Sequence, residues 1–266
     1  MSMERASPRD DRAVTPVHVI FASYGNDSLA LIRWAYERKL RDVTVLYNET
    51  GWGAACWAIR VAQCEAWVEG LGFKAARTQS IGMEALVKKE RGWPRNGMQF
   101  CTEKLKIRPS LAWLAQNDPE REAICLVGVR REESVARRSF PEWTEDSAAH
   151  GHRSLWAPLV NTQVVERDAL LSRAGFAPLP HRSRECEPCI NSNKGDIRAL
   201  GDPDIAKVER IEGELGFTGA GKPRVMFRPA QHMGAIGIRE IYRWAHSGRG
   251  QYEPPVRGCD SGMCGG

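Results

Sequence analysis

The sequence lacks a long apolar run, which excludes a membrane-spanning helix. None of its apolar stretches approaches the roughly 18 residues that such a helix needs. The opening segment, "MSMERASPRDDRAVTP", is polar and charged and has no apolar core typical of a secretory signal. We therefore predict a disordered leader over residues 1–16, no association with a membrane and a cytoplasmic location.

Two common phosphate-binding signatures are also missing. The dinucleotide-binding pattern G-x-G-x-x-G needs three spaced glycines, and the loop after the first apolar stretch contains only Gly25. A Walker A loop needs Ser or Thr after its Gly-Lys pair, but the segment "TGAGKPR" has Pro223 there. Internal repeats and recognisable nucleic-acid-binding modules are absent as well.

The length and net charge of the chain limit the number of domains and the kinds of ligand that we expect. The 266 residues suffice for one α/β domain with a smaller attachment. Lys and Arg number 38 and Asp and Glu number 33, so the formal net charge is +5. This mild excess suits anionic ligands such as nucleotides or nucleic acid, without distinguishing between them.

Apolar stretches typical of strands alternate with helical patterns along the first half of the chain. The candidate strands are "VHVIFAS", "VTVLYNE", "KAARTQS" and "EAICLVGVR". This alternation predicts an α/β fold with a Rossmann-like parallel sheet, which we expect to have five strands, and helices on both faces. We assign residues 17–154 to a nucleotide-binding domain and residues 155–266 to an irregular cysteine-containing region that closes over the active site. Ligands of such sheets bind at the carboxyl ends of the strands.

The segment "SYGNDS" joins the first predicted strand to the first predicted helix. It matches the pattern S-x-G-x-D-S with Ser23, Gly25, Asp27 and Ser28. Gly25 would let the backbone approach a phosphate, while the serines, Asn26 and the N–H groups of the helix start would bind its oxygens. Asp27 would orient the loop or hold Mg²⁺. A plain helix cap after a strand is the alternative.

This loop resembles the pyrophosphatase (PP) loop of the adenine-nucleotide α-hydrolase superfamily, whose members share the HUP fold. The segment "GVRREESVARR" resembles the G-x-R-x-x-E-S-x-x-R segment of phosphoadenosine phosphosulfate (PAPS) reductases and their relatives. The segments "FCTEKLKIRPSL" and "CEPC" are similar to their Cys-x-x-x-x-Lys-x-x-Pro and Cys-x-Pro-Cys segments. The order of these segments agrees from Val17 to Ile190.

The resemblance implies roles for several basic residues. Arg130, Arg137 and Arg138 become candidate phosphate or sulfate ligands, with at least one expected to be merely exposed. The usual loop often has glycine where Tyr24 stands and lysine where Asn26 stands. Another cation must then supply the missing charge, and Lys106 is our candidate, with a catalytic role beside Asp27.

The eight cysteines fall into two groups. Disulfides are unexpected in a cytosolic chain. Three cysteines lie in apolar stretches and are predicted to be core thiols: Cys56, Cys64 and Cys125. Five others lie beside Gly, Pro or charged residues: Cys101, Cys186, Cys189, Cys259 and Cys264.

The second group resembles the cysteines of cluster-binding adenylyl-sulfate (APS) reductases and of iron–sulfur ATP pyrophosphatases of DNA phosphorothioation. The resemblance implies a [4Fe–4S] cluster on Cys101, Cys186 and Cys189, with Cys259 as the fourth ligand. Cys264 would be the reactive thiol, although Cys259 and Cys264 could exchange roles. Zinc on the same thiolates and a metal-free C-x-x-C pair are the alternatives.

The resemblance therefore implies a sulfur-transfer enzyme that uses ATP and Mg²⁺. It would activate an acceptor by adenylation and take sulfur from a donor such as a cysteine desulfurase. The acceptor would be a nucleic acid, as in DNA phosphorothioation or tRNA thiolation. One alternative is an APS or PAPS reductase that releases sulfite and is regenerated by thioredoxin. The other is a nucleotide-binding regulatory module without enzymatic activity.

Overall fold

The structure is a computed structural model, and it describes residues 17–95, 97–227 and 236–248. One mixed sheet organises the described chain, with the strand order β3-β2-β1-β4-β6-β5. Its strands are β1 (His18–Phe21), β2 (Val43–Glu49), β3 (Lys74–Gln79), β4 (Ile124–Val127), β5 (Trp143–Ser147) and β6 (Arg153–Trp156). Strands β1 to β4 and β6 run parallel, and β5 pairs antiparallel with β6.

The predicted α/β fold is confirmed, but the sheet of the described residues has six strands rather than five. Strands β5 and β6 both follow the last strand recognised from the sequence. The side chains of the edge strand β5 are mostly exposed, so this strand lacks the apolar pattern of a buried strand. Strand β6 spans the predicted domain boundary between residues 154 and 155.

Helices cover both faces of the sheet. Helices α1 and α2 pack on one face with a core that includes Ile20, Leu31 and Val61, while α5 packs on the other through Leu114. A π-helical turn, Glu103–Ile107, joins α4 to α5. The helices are α1 (Asn26–Glu37), α2 (Ala55–Gly70), α3 (Met83–Lys89), α4 (Phe100–Thr102), α5 (Arg108–Asn117), α6 (Val164–Arg173), α7 (Lys194–Arg198), α8 (Asp202–Leu215) and α9 (Ile238–Ala245).

The helices that follow β6 pack in two different places. Helix α6 lies against α1 and buries Leu170 and Leu171 in the core of the sheet. Helices α7, α8 and α9 form a second apolar cluster with α3 and Trp52, which follows β2. Residues after β6 therefore reach the carboxyl edge of the sheet from two sides. Among the described helices, none is both long and apolar enough to cross a membrane.

Candidate active site

The phosphate-loop candidate lies where β1 ends and α1 begins. Gly25 is extended and precedes the first helical residue, Asn26. The Ser28 hydroxyl donates to the Gly25 carbonyl at 3.2 Å, and the Gly25 N–H donates to the Ser23 hydroxyl at 3.3 Å. The first N–H groups of a helix lack acceptors within it and carry its positive dipole end. The loop therefore presents a helix start suited to an anion at the carboxyl edge of the sheet.

Tyr24 adopts a backbone conformation that explains why glycine is usual at this position. Its φ is 59°, in the left-handed region that residues with side chains rarely adopt. The ring is buried and stacks on Tyr47, with the ring centroids 5.7 Å apart. Burial raises the pKa of the Tyr24 hydroxyl, which has no hydrogen-bond partner among the described residues, so the phenol is neutral. Packing in the core holds this residue in the loop.

Asp27 is buried and held by arginines from distant parts of the chain. Its Oδ1 lies 2.5 Å from Nε of Arg130 and 3.7 Å from Nη1 of Arg167. Asp27 thus ties the start of α1 to the segment after β4 and to α6. That Asp27 orients the loop stays a prediction. Arg167 was missed because it lies in an ordinary amphipathic helix with no motif around it.

Gly128 was not assigned a role from the sequence, although it opens the "GVRREES" segment. A Cβ atom there would lie 3.0 Å from the carbonyl oxygen of Asp27 and 3.3 Å from the backbone nitrogen of Ser28. Such contacts are shorter than ordinary van der Waals distances. Glycine therefore allows the end of β4 to approach the first turn of α1. The signal in the sequence was a glycine directly after a buried strand.

The three arginines predicted as anion ligands have different surroundings. Arg130 is buried, and besides Asp27 it pairs with Glu132. Arg137 is buried and pairs with Glu133, whose carboxylate also accepts from the backbone N–H of Arg130 at 3.1 Å. Arg138 is exposed, as expected for one of the three. Acidic partners therefore neutralise the two buried guanidinium groups.

A cavity of about 820 Å³, part of it open to solvent, lies beside the end of β2. It brings together residues from five separate segments of the sequence. Trp52 comes from the loop after β2, and Arg182 and Asn191 come from the "CEPC" loop. The predicted site residues in its lining are Cys101, Lys106, Arg137, Cys186 and Cys189.

Lys106 forms a buried ion pair in this cavity, with its Nζ 2.5 Å from Oε1 of Glu185. Burial alone would lower the pKa of Lys106, but the charge of Glu185 and its hydrogen bond to Lys106 outweigh it and raise the pKa above its ordinary value. Lys106 is therefore charged. Because Glu185 neutralises it, Lys106 supplies no free positive charge to the phosphate loop.

Three half-buried thiols line the cavity. Burial raises the pKa of Cys186 to about 12 and raises that of Cys101 as well. The sulfur of Cys186 lies 3.7 Å from the Thr50 hydroxyl. Within the described ranges, no three His, Cys, Asp or Glu residues are grouped closely enough to hold a metal.

The donor chemistry suits an iron–sulfur cluster, because thiolates are its usual ligands. The described residues supply three of the four thiolates that such a cluster takes, and these three line the cavity without meeting at a single metal ion. Cys259 and Cys264, assigned to the cluster and to the chemistry, lie outside the described residues. We therefore derive no reaction step through an iron–sulfur cluster or zinc.

The prediction of three core thiols is wrong for Cys56. Cys64 and Cys125 are buried, whereas Cys56 is exposed in the first turn of α2, 3.9 Å from Nη1 of Arg184. The apolar stretch around Cys56 is a helix start that projects from the sheet edge, so only one of its faces reaches the core.

The family follows from a sequence comparison. Residues 17–180 match the model of the phosphoadenosine phosphosulfate reductase domain, which is more than half of the chain. The chain belongs to this family. The predicted family is thereby confirmed, although the C-x-x-C segment lies beyond the matched residues.

One curated relative is an uncharacterised 37.8 kDa protein in the gpa 5′ region of Escherichia phage 186. It is 26% identical over 198 residues, which cover 65% of this chain and 59% of the relative. The match thus spans less than two thirds of the relative's length.

Two solved structures resemble this chain at 13% identity. One is a PAPS reductase from Candida auris in a phosphate complex, with 62% of this chain and 76% of that chain covered and a TM-score of 0.44. The other is an NH₃-dependent NAD synthetase from Campylobacter jejuni in complex with nitrate. The match covers 62% of this chain and 66% of that chain, with a TM-score of 0.40.

Proposed function

We propose that this protein is a sulfur-transfer enzyme of the PAPS reductase family that activates its acceptor with ATP, in the manner of a PP-loop ATP pyrophosphatase. The observation that carries the proposal is the short connection between the phosphate loop and the thiol-lined cavity. Arg130 pairs with Asp27 of the loop, and Arg137, seven positions later, lines the cavity. Glu133 contacts both arginines and links the two places.

The proposed first step is adenylation of an acceptor oxygen. That oxygen attacks the α-phosphorus of ATP, the bond from this phosphorus to the bridging oxygen breaks, and pyrophosphate leaves. The N–H groups at the start of α1 would bind the phosphates, and Arg130 would keep Asp27 oriented. Mg²⁺ would neutralise the phosphate charges. The protein contributes mainly position and charge stabilisation to such a step.

The proposed second step replaces the activated oxygen with sulfur. The terminal sulfur of a persulfide on a donor such as a cysteine desulfurase attacks the adenylated carbon or phosphorus, and AMP leaves with the acceptor oxygen. A second thiol then attacks the donor cysteine sulfur, so that the S–S bond to the acceptor breaks, a disulfide forms with the donor and the thiolated acceptor is released. The cavity lined by Cys101, Cys186 and Cys189 is the place where such sulfur would arrive. The net positive charge of +5 favours a polyanionic acceptor, so we propose a nucleic acid.

The family match favours a second candidate, an APS or PAPS reductase. A thiolate, Cys264 in this chain, would attack the sulfate sulfur and displace AMP or adenosine 3′,5′-bisphosphate. A thiol of thioredoxin would then attack the cysteine sulfur and release sulfite. The sulfur atom of the sulfate gains two electrons, which come from the two thiols as they form a disulfide.

One set of assays on the full chain, purified without oxygen, separates these candidates. Pyrophosphate and AMP release from ATP that depends on added tRNA or DNA supports the ATP-dependent enzyme. Sulfite release from APS or PAPS with thioredoxin supports the reductase. Tight nucleotide binding without turnover of any of these substrates contradicts both and leaves the regulatory module.

A further inference from the structure

The backbone of the phosphate loop is held by two side chains of α2. Nε1 of Trp57 donates to the Ser23 carbonyl at 3.1 Å, and Nε of Arg60 donates to the Tyr24 carbonyl at 2.7 Å. Trp57 and Arg60 are three positions apart, so they lie on the same side of the helix. Two successive carbonyl groups of the loop are therefore fixed by one helix.

The Arg60 bond acts on the strained residue of the loop. Tyr24 has a φ of 59°, and a residue with a side chain keeps such a conformation only where its surroundings enforce it. In a trans peptide the carbonyl and the next N–H point in opposite directions. By holding the Tyr24 carbonyl towards α2, Arg60 directs the Gly25 N–H away from α2 and towards the interior of the loop.

The phosphate loop lacks an unneutralised positive charge, and Arg60 can supply one. Asn26 stands where a lysine is usual, and its amide is used in two hydrogen bonds with the backbone of Leu179, at 2.9 and 3.0 Å. The other cations considered, Lys106, Arg130 and Arg137, each pair with a buried or half-buried carboxylate. None of them offers an unneutralised positive charge at the loop.

Arg60 differs from these cations in having no carboxylate within ion-pair distance among the described residues. Its guanidinium lies over the rings of Trp57 and Phe176, 5.3 and 5.7 Å from their centroids. Its Nη2 is buried without a hydrogen-bond partner in the described part of the chain. Burial lowers the pKa of Arg60, yet a guanidinium keeps its proton at neutral pH.

We propose that Arg60 is the positioning residue of the phosphate loop and that its charge replaces the one lost at Asn26. It fixes the loop through the Tyr24 carbonyl, and its unneutralised charge favours an anion on the other side of that peptide. This inference rests on the proposed function, because it requires a phosphate-bearing ligand at the loop.

The test compares the binding of ATP, pyrophosphate and adenosine to the full chain by calorimetry. Arg60→Gln should weaken the binding of ATP and pyrophosphate about tenfold or more, because it removes one nearby charge that solvent screens little. The binding of adenosine, which carries no phosphate, should be unchanged. Arg60→Lys should retain most of the affinity, because it keeps the charge and a donor. Arg38→Gln is the matched control, since Arg38 also lies over a ring, that of Trp34, but at the far end of α1.

The dependence of ATP affinity on salt separates position from charge. This dependence should be weaker in Arg60→Gln than in the wild type and unchanged in Arg60→Lys, because only the first variant removes a positive charge. Wild-type affinity for ATP in Arg60→Gln overturns the inference. So does an equal loss of ATP and adenosine affinity, which would mark a purely structural role. Absence of anion binding by the wild type instead refutes the proposed function, and the inference with it.

Discussion

Oδ1 of Asp27 lies 2.5 Å from Nε of Arg130, although 103 positions separate the two residues. Both side chains are buried. An ion pair removed from water contributes little net stability, but removing one partner leaves the other charged and unpaired. The pair thus fixes the start of α1 relative to the segment after β4. Because the two residues are far apart in the sequence, this contact depends on the complete fold.

Asp27→Asn should lower the free energy of unfolding by about 3 kcal/mol, because Arg130 loses its principal buried partner. The variant should also lose measurable ATP binding, since the loop would no longer be held against β4. Chemical denaturation and calorimetry measure the two effects separately.

Asp118→Asn is a matched control for this change. Oδ2 of Asp118 lies 2.5 Å from Nε of Arg153, in a buried pair that precedes β4 and therefore lies away from the carboxyl edge of the sheet. Asp118→Asn should lower the free energy of unfolding by a similar amount to Asp27→Asn, about 3 kcal/mol, but should retain the affinity for ATP. If Asp118→Asn weakens ATP binding as much as Asp27→Asn, the effect reflects stability and not the loop.

Gly128→Ala should destabilise the protein by about 1 to 3 kcal/mol and weaken nucleotide binding. The added Cβ would lie 3.0 Å from the backbone of Asp27, so the end of β4 and the first turn of α1 must move apart. Gly70→Ala, at the end of α2, is the control, because a Cβ there meets nothing within 4 Å. That change should be neutral or stabilising by about 0.5 kcal/mol, from the lower entropy of the unfolded chain. Unaltered ATP affinity in Gly128→Ala would contradict the close packing inferred here.

The parts of the site that were predictable are those encoded by neighbouring residues. Strand β2 was predicted over the seven residues it occupies, Val43–Glu49, because its first five residues form a continuous apolar and β-branched run. The segment from Ser23 to Ser28 was placed at the start of a helix for the same local reason. Both features depend on spacing within a few residues, which a single sequence displays.

Partners brought together by the fold were not predictable in this way. Lys106 was expected to supply charge to the loop, but Glu185, 79 positions later, neutralises it. Arg60 and Arg167 lie on helices whose patterns specify only burial, so no local signal assigned them to the loop. Strand β5 was missed for a related reason, since an edge strand has few buried side chains to reveal it.

Iron and acid-labile sulfide, measured on protein made without oxygen, decide whether the cavity holds a cluster. We expect roughly four irons per chain if the implied cluster is present. Cys101→Ser, Cys186→Ser and Cys189→Ser should each remove most of the iron, because their thiols line the same cavity. Cys64→Ser should retain it, since Cys64 is buried in the core beside the sheet. Stoichiometric zinc, or full iron content in all three cavity variants, would contradict the assignment.

The stability of the protein should fall between about pH 6.5 and pH 4 because of His150. This side chain is buried, and its Nδ1 lies 2.8 Å from the Ser147 hydroxyl. Its Nε2 has no hydrogen-bond partner among the described residues. Burial lowers the pKa of His150 to about 4, from 6.5 in an unfolded chain. Between these values the unfolded state binds more protons, so acid favours unfolding.

His150→Gln should therefore flatten the dependence of stability on pH. Between about pH 7 and pH 5 the wild type should lose about 2 kcal/mol more than the variant, because only the wild type takes up a proton at this position on unfolding. Urea denaturation of both proteins at a series of pH values gives this difference directly. His152→Gln is the control, since His152 is exposed beside Asp146 and its removal should leave the curve close to that of the wild type. Parallel curves for wild type and His150→Gln would show that His150 is not the neutral, buried group inferred from the structure.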